Sequence, residues 1–138
     1  MRLIPNLDKM LFQSNYTDTR LSEKEFYAIA NDMNNIPALL PEQAVNINST
    51  TDTLAFTVQG MGSIKLSVCQ RVPYSLVQLA PEGKTPFPFI LSIKIASTGD
   101  KCRVMFEIDA QLNPLMSMMA KRPLQSLVDM MAQKASSL

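Results

Sequence analysis

Few side chains in this 138-residue sequence are suited to catalytic chemistry. There is no His, which excludes Ser-His-Asp and Cys-His catalysis as well as zinc sites that use imidazole. The two cysteines, Cys69 and Cys102, are too few for a disulfide scaffold or a four-thiolate metal site. Strand alternation predicts opposite faces for them, so we expect two reduced thiols. The sequence therefore predicts no catalytic residue, no metal ligand and no cofactor.

The carboxylates do not form an evident acid–base pair. Glu107 and Asp109 are predicted on the outer face of a strand, and Asp32 and Glu42 lie near short helices. An acid–base catalyst needs a carboxylate that faces the bound molecule. Gln70 is the one polar residue on its predicted inner face, where it either orients a ligand or marks the end of the strand.

The charge balance of the chain argues against nucleic acid as a partner. Thirteen Lys and Arg against twelve Asp and Glu leave a net charge of +1, which does not favour nucleic acid binding. No stretch reaches the roughly 18 apolar residues that a membrane span needs. The first residues lack the apolar run of a signal peptide, so we expect a cytoplasmic protein. Lys121 and Arg122 form either a solvated face or a contact for an anionic headgroup.

The first half of the chain predicts one strand followed by two helices. Apolar alternation over residues 10–16 predicts a strand that carries Phe12 and Tyr16 on its inner face. Ser22 and Glu25 form a capping box, which predicts a helix start. A short second helix is expected over residues 36–40.

Residues 44–111 predict six further strands. Apolar residues alternate with polar ones, and short turns separate successive strands, which is typical of an antiparallel meander. Because one face is apolar and the other polar, we expect a sheet that is covered on one side only.

Residues 115–136 predict a long C-terminal helix that is broken or kinked at Pro123. Five of the ten methionines lie in this helix: Met116, Met118, Met119, Met130 and Met131. Unbranched, polarizable side chains form an adaptable wall for an apolar ligand or a partner, or they fill gaps in a core. Five of them cannot all face one sheet.

Several segments resemble one protein superfamily. They are residues 26–35, Ile64-Lys65-Leu66, Pro88-Phe89, Leu112-Asn113-Pro114 and Lys121-Arg122-Pro123-Leu124-Gln125. Together with the order of elements they resemble the START/SRPBCC superfamily, which includes the birch-pollen-allergen-like proteins. The similarity is to a small bacterial, Bacteroidetes-type subgroup of unknown function. It covers residues 10–138 as one domain and leaves residues 1–9 as an extension, with Met1 or Met10 as the start.

The resemblance implies an α+β helix-grip fold, in which a curved antiparallel sheet of about seven strands (β-α-α-β6-α) wraps the C-terminal helix. It implies a cavity for a small hydrophobic ligand, a lipid or an aromatic natural product, without catalysis. Two alternatives stay open: a polyketide cyclase or dehydrase-like enzyme, and a protein-interaction module that uses the Met-rich helix. The expected ligand-binding residues are Phe12, Tyr16, Phe56, Leu66, Val68, Phe89, Leu91, Val104, Phe106, Ile108, Met116, Met119, Leu127 and Met131.

Overall fold

The computed structural model describes residues 8–58, 62–85 and 87–138. Within these ranges the chain forms an open antiparallel sheet in the order β1-β8-β7-β6-β5-β4-β3, with β2 paired to β8 beside β1. The strands are β1 Asp8–Gln13, β2 Thr17–Asp18, β3 Ala44–Ser49, β4 Thr53–Val58, β5 Gly62–Val72, β6 Leu76–Pro81, β7 Phe89–Ser97 and β8 Cys102–Leu112.

Three helices lie on one side of this sheet. They are α1 Glu23–Ala30, a 3-10 helix Met33–Leu39 and α2 Pro114–Ala135. α2 packs against β8, β1 and the 3-10 helix, and α1 packs against β7. The helices and the inner side of the sheet enclose one apolar core. This architecture confirms the predicted α+β helix-grip fold with a long C-terminal helix.

The predicted capping box at the start of α1 is present. The Glu25 backbone N–H donates to Ser22 Oγ at 3.1 Å, and the Ser22 backbone N–H donates to Glu25 Oε1 at 2.9 Å. These hydrogen bonds from Ser22 lower the pKa of the Glu25 carboxyl because they favour its charged form. The cap fixes where the chain leaves the strand layer and enters the helix layer.

The sheet has eight strands because the first predicted strand, residues 10–16, ends at Gln13, and a further short strand, Thr17–Asp18, follows it. Gln13 pairs with Glu107 and Thr17 pairs with Val104, so the first segment contains one residue more than its partner. At the interruption, the Phe106 N–H donates to the side-chain oxygen of Ser14 at 3.0 Å, and the Ser14 N–H donates to the Phe106 carbonyl at 2.9 Å. The Ser14 hydroxyl thus accepts the hydrogen bond that a backbone carbonyl would accept in a regular strand, which allows the first segment to hold an additional residue.

α2 is one continuous helix, so of the two expectations at Pro123 the break is wrong and the kink stays a prediction. Asn113 caps its start, with the Met116 N–H donating to Asn113 Oδ1 at 2.8 Å, and Pro114 occupies the first turn. Pro123 lacks the N–H that would bond to the Met119 carbonyl, and packing of the helix against the sheet offsets this loss. In the described chain no helix is long and apolar enough to cross a membrane.

We predict that the two thiols differ sharply in reactivity. Cys69 is exposed, whereas Cys102 is buried, and both are free, as the sequence predicted. Burial raises the pKa of the Cys102 thiol, although a contact of 3.3 Å between its Sγ and Thr19 Oγ1 opposes the shift. Cys102 therefore remains a thiol, and does not form the reactive thiolate, up to a higher pH than an ordinary cysteine.

Titration of the native protein with a chromogenic disulfide reagent should detect one fast thiol, and denaturation should expose a second. Cys69→Ser should remove the fast phase and Cys102→Ser should leave it. Two fast thiols in the native protein would contradict the placement of Cys102.

We predict that Ser14→Ala destabilises the fold by about 1–3 kcal/mol, because the Phe106 N–H then loses its acceptor in a buried place. Urea unfolding measures this change. The matched control is Ser63→Ala, since the Ser63 hydroxyl lies in an exposed pair with Thr57. Equal stability of the two variants would show that the Ser14 hydroxyl does not support the strand.

Candidate functional site

The concave side of the sheet forms an apolar surface that faces the helices. Twelve of the fourteen residues predicted for ligand binding contribute to it. Ten are buried: Phe12, Phe56, Leu66, Phe89, Leu91, Val104, Phe106, Ile108, Leu127 and Met131. Val68 and Met116 are partly buried and pack against this set. The structure therefore gathers most of the predicted residues around one interior.

Packing within this interior is uneven. Phe106, Leu66 and Val104 expose 1% of their surface or less, so they are in contact with other side chains on all sides. Towards one end of the sheet, Phe89 keeps 7% exposure. This end carries the start of β7 and the junction of β8 with α2. Space for a ligand is therefore not expected around Phe106.

The first half of α2 leaves the same end less covered. Of the seven buried residues of α2, six lie from Leu124 onward, and Ala120 alone lies in the first half. Met116, on the sheet side of the first half, is only partly buried. The second half of the helix thus builds the core, and the first half lies over its less tightly packed end.

The structure does not place Tyr16 on the concave side, and the prediction for this residue is corrected. Its side chain is 49% exposed. The additional residue between Gln13 and Thr17 reverses the alternation of the strand, so that Thr17 takes the position opposite the buried Val104. Alternation counted from Phe12 could not include this shift.

Met119 is also outside the concave surface, with 61% of its side chain exposed. It precedes the buried Val128 by nine residues, which turns it about 180° around a helix that rotates about 100° per residue. Met118, with 81% exposure, is related in the same way to the buried Leu127. These two methionines face away from the sheet, which favours a role in contact with a partner surface.

A second bulge changes which polar residues of β5 face inward. Val68 pairs with Leu79 and Gln70 pairs with Gln78, so Cys69 is an additional residue in β5. Gln70 therefore lies on the convex face with Gln78, and the expectation that it faces the interior is wrong.

Arg71 turns to the helix side in place of Gln70, a role that the sequence did not indicate. It pairs with Val77, a buried residue of the concave face. Its Nη2 donates to the Asn31 carbonyl at 2.8 Å and to Asp52 Oδ1 at 2.9 Å. Arg71 thus joins the end of α1 to the turn between β3 and β4, and it has a structural role.

The carboxylates of β8 lie on the convex face, away from the apolar interior. Glu107 Oε1 accepts hydrogen bonds from Gln13 Nε2 at 2.7 Å and from Lys94 Nζ at 3.1 Å. Asp109 forms an ion pair with Lys9 at 3.4 Å. Among the residues described, no three His, Cys, Asp or Glu side chains are grouped as a metal site would require.

Two shallow grooves lie on the surface of the sheet. One, of about 310 Å³, is lined at its rim by Lys65, Glu82 and Lys84, and the other, of about 260 Å³, lies beside Lys9 and Asp109. Neither includes a residue of α2, so neither is the space between sheet and helix.

No protein-family model matches this sequence, and no curated protein matches it. Solved structures match its fold over nearly the whole chain. Norcoclaurine synthase from Thalictrum flavum, in complex with dopamine and hydroxybenzaldehyde, superposes with a TM-score of 0.72 at 16% identity, over 99% of this chain and 91% of that chain.

Two bacterial structures match in the same way. A START superfamily protein from Mycobacterium smegmatis superposes with a TM-score of 0.62 at 13% identity, over 95% of this chain and 97% of that chain. The Mll3558 protein from Rhizobium loti superposes with a TM-score of 0.63 at 10% identity, over 93% of this chain and 98% of that chain. At these identities the comparison establishes the fold, and this chain has the helix-grip fold of the START/SRPBCC superfamily.

Proposed function

We propose that this protein binds a small hydrophobic molecule, a lipid or an aromatic compound, between the concave face of the sheet and the first half of α2. The observation that carries the proposal is the uneven packing of α2, which buries six residues from Leu124 onward and one before it. An apolar surface that its own chain covers less tightly at one end is suited to an apolar ligand.

The residues that we assign to this site come from both sides of the less tightly packed end. Phe56 and Phe89 belong to the sheet, and Met116 and Ala120 belong to the first half of α2. Phe87 adds a second ring, with its centroid 5.5 Å from that of Phe89. Aromatic rings supply a large apolar contact area, and flexible methionine adapts to an apolar ligand of undefined shape.

The other buried residues of the prediction support the site in this proposal. Leu66, Val104, Phe106, Ile108 and Met131 expose 1% or less, so they hold the strands and α2 at a fixed separation. Phe12 and Leu91 have the same role at the margins, with 3% exposure each.

Binding is favoured over the cyclase or dehydrase alternative by the direction of the carboxylates. Glu107 and Asp109 lie on the convex face and are engaged by Lys94 and Lys9. A proton donor or acceptor on that side cannot reach a molecule held on the concave side.

Dopamine and hydroxybenzaldehyde occupy the norcoclaurine synthase structure, which supports an aromatic compound as one ligand class. As parts of the same proposal, we propose that binding takes place in the cytoplasm and that the chain belongs to the Bacteroidetes-type subgroup.

We predict that a saturating apolar ligand raises the melting temperature. A ligand that binds only the native state, at about one hundred times its dissociation constant, adds roughly 2.7 kcal/mol to the free energy of unfolding. For a chain of this size that corresponds to roughly 10 °C. Palmitate and a naphthalene dye are suitable probes, and native mass spectrometry of the purified protein would detect a ligand that co-purifies.

Ala120→Leu tests whether the ligand binds under the first half of α2. Ala120 is 5% exposed at the less tightly packed end, so the larger side chain should occupy the free space, abolish the ligand-induced shift and leave the unliganded protein about as stable as before. The matched control, Ala135→Leu, lies where exposure is 0% and should cost about 1–3 kcal/mol by overpacking. An Ala120→Leu variant as unstable as the control would show that no space exists there.

Met119→Lys provides a second control. Because Met119 faces away from the sheet, the charge should leave the ligand-induced shift unchanged. Loss of the shift in this variant would place Met119 in the ligand wall and contradict the assignment above.

A further inference from the structure

The first half of α2 presents an exposed apolar stripe, formed by Leu115, Met118 and Met119. These side chains expose 66%, 81% and 61% of their surface. Each precedes a buried residue by nine positions, so all three lie on the helix face opposite the core. Large apolar side chains grouped on a surface in this way mark a contact with something other than water.

The stripe is bordered by cations and by no carboxylate of its own helix. Lys121 and Arg122 are exposed, and Arg122 continues the line of the stripe by one helical turn. From Asn113 to Val128 the chain contains no Asp or Glu, and the first carboxylate, Asp129, follows two turns later. The occupant of this surface therefore combines an apolar interior with negative charge.

We propose that the apolar stripe docks on an anionic lipid surface. Three side chains are far fewer than the 20–30 residues a side that a stable protein–protein interface usually buries, about 800 Å² per partner, which argues against a second copy of this chain. A helix whose opposite face is held by the domain lies along its surface. From there Leu115, Met118 and Met119 can enter the boundary between headgroups and acyl chains, while Lys121 and Arg122 contact lipid phosphates.

Vesicle co-sedimentation with the full chain tests this proposal. We expect at least about tenfold tighter binding to vesicles that contain phosphatidylglycerol than to pure phosphatidylcholine, with the difference falling as salt is added. Met118→Ser with Met119→Ser should weaken binding to anionic vesicles by about tenfold or more. Lys121→Gln with Arg122→Gln should remove the preference for anionic lipid and its salt dependence.

Matched controls use exposed residues of the same chemical type on other elements. Val45→Ser with Val72→Ser changes apolar side chains that are 50% and 38% exposed on the sheet. Lys24→Gln with Lys101→Gln removes two exposed charges from outside α2. Both control pairs should bind anionic vesicles like the wild type, and every variant should unfold at nearly the wild-type temperature, because all these side chains are exposed.

Three results would overturn the proposal. The first is absence of binding to anionic vesicles by the wild-type chain. The second is vesicle binding that persists in the Met118→Ser, Met119→Ser variant, which would place the contact elsewhere. The third is a concentration-dependent dimer that this same variant abolishes, with no vesicle binding, which would assign the stripe to a second copy of the chain. None of these measurements depends on a ligand in the interior.

Discussion

The structure depends on burial of the inner face of β8. This strand pairs with β1 and β2 on one side and β7 on the other, and it supports α2 before leading into it. Its inward residues Val104, Phe106, Ile108 and Ala110 expose 1% or less. Each of the three large side chains in this row contributes roughly 1.5–3 kcal/mol when it is fully buried. The separation between the sheet and α2 follows from the burial of this row.

On the convex face of β8, buried polar side chains are satisfied by hydrogen bonds to the neighbouring strands. Glu107 is 8% exposed although it lies on the convex side, and its carboxylate is engaged by Gln13 and Lys94 from the two neighbouring strands. Ser92, 2% exposed, accepts a hydrogen bond from Gln78 Nε2 at 2.9 Å. These bonds link strands across the sheet without an apolar layer, which explains why helices cover one side only.

α2 combines two tasks along its length. Its second half, from Leu124, completes the core, while its first half has few buried residues and exposes Leu115, Met118 and Met119. The proposed ligand site lies under this first half and the proposed lipid contact lies on its outer side. A segment with few buried contacts is also the part of a helix that opens at least cost in free energy. The two proposals thus concern opposite faces of the same half of the helix.

Local patterns in the sequence were sufficient for the order of strands and helices, for the capping box of Ser22 and Glu25, and for the inward row of β8, whereas the helix-grip fold was implied by the resemblance to a known superfamily. These features depend on neighbours in the chain or on simple alternation, and hydrophobic periodicity records both. The positions of Tyr16, Gln70 and Arg71 required the tertiary structure. One additional residue in each strand, between Ser14 and Thr17 and at Cys69, reverses every side chain that follows, and pairing with a distant strand decides where that residue is placed.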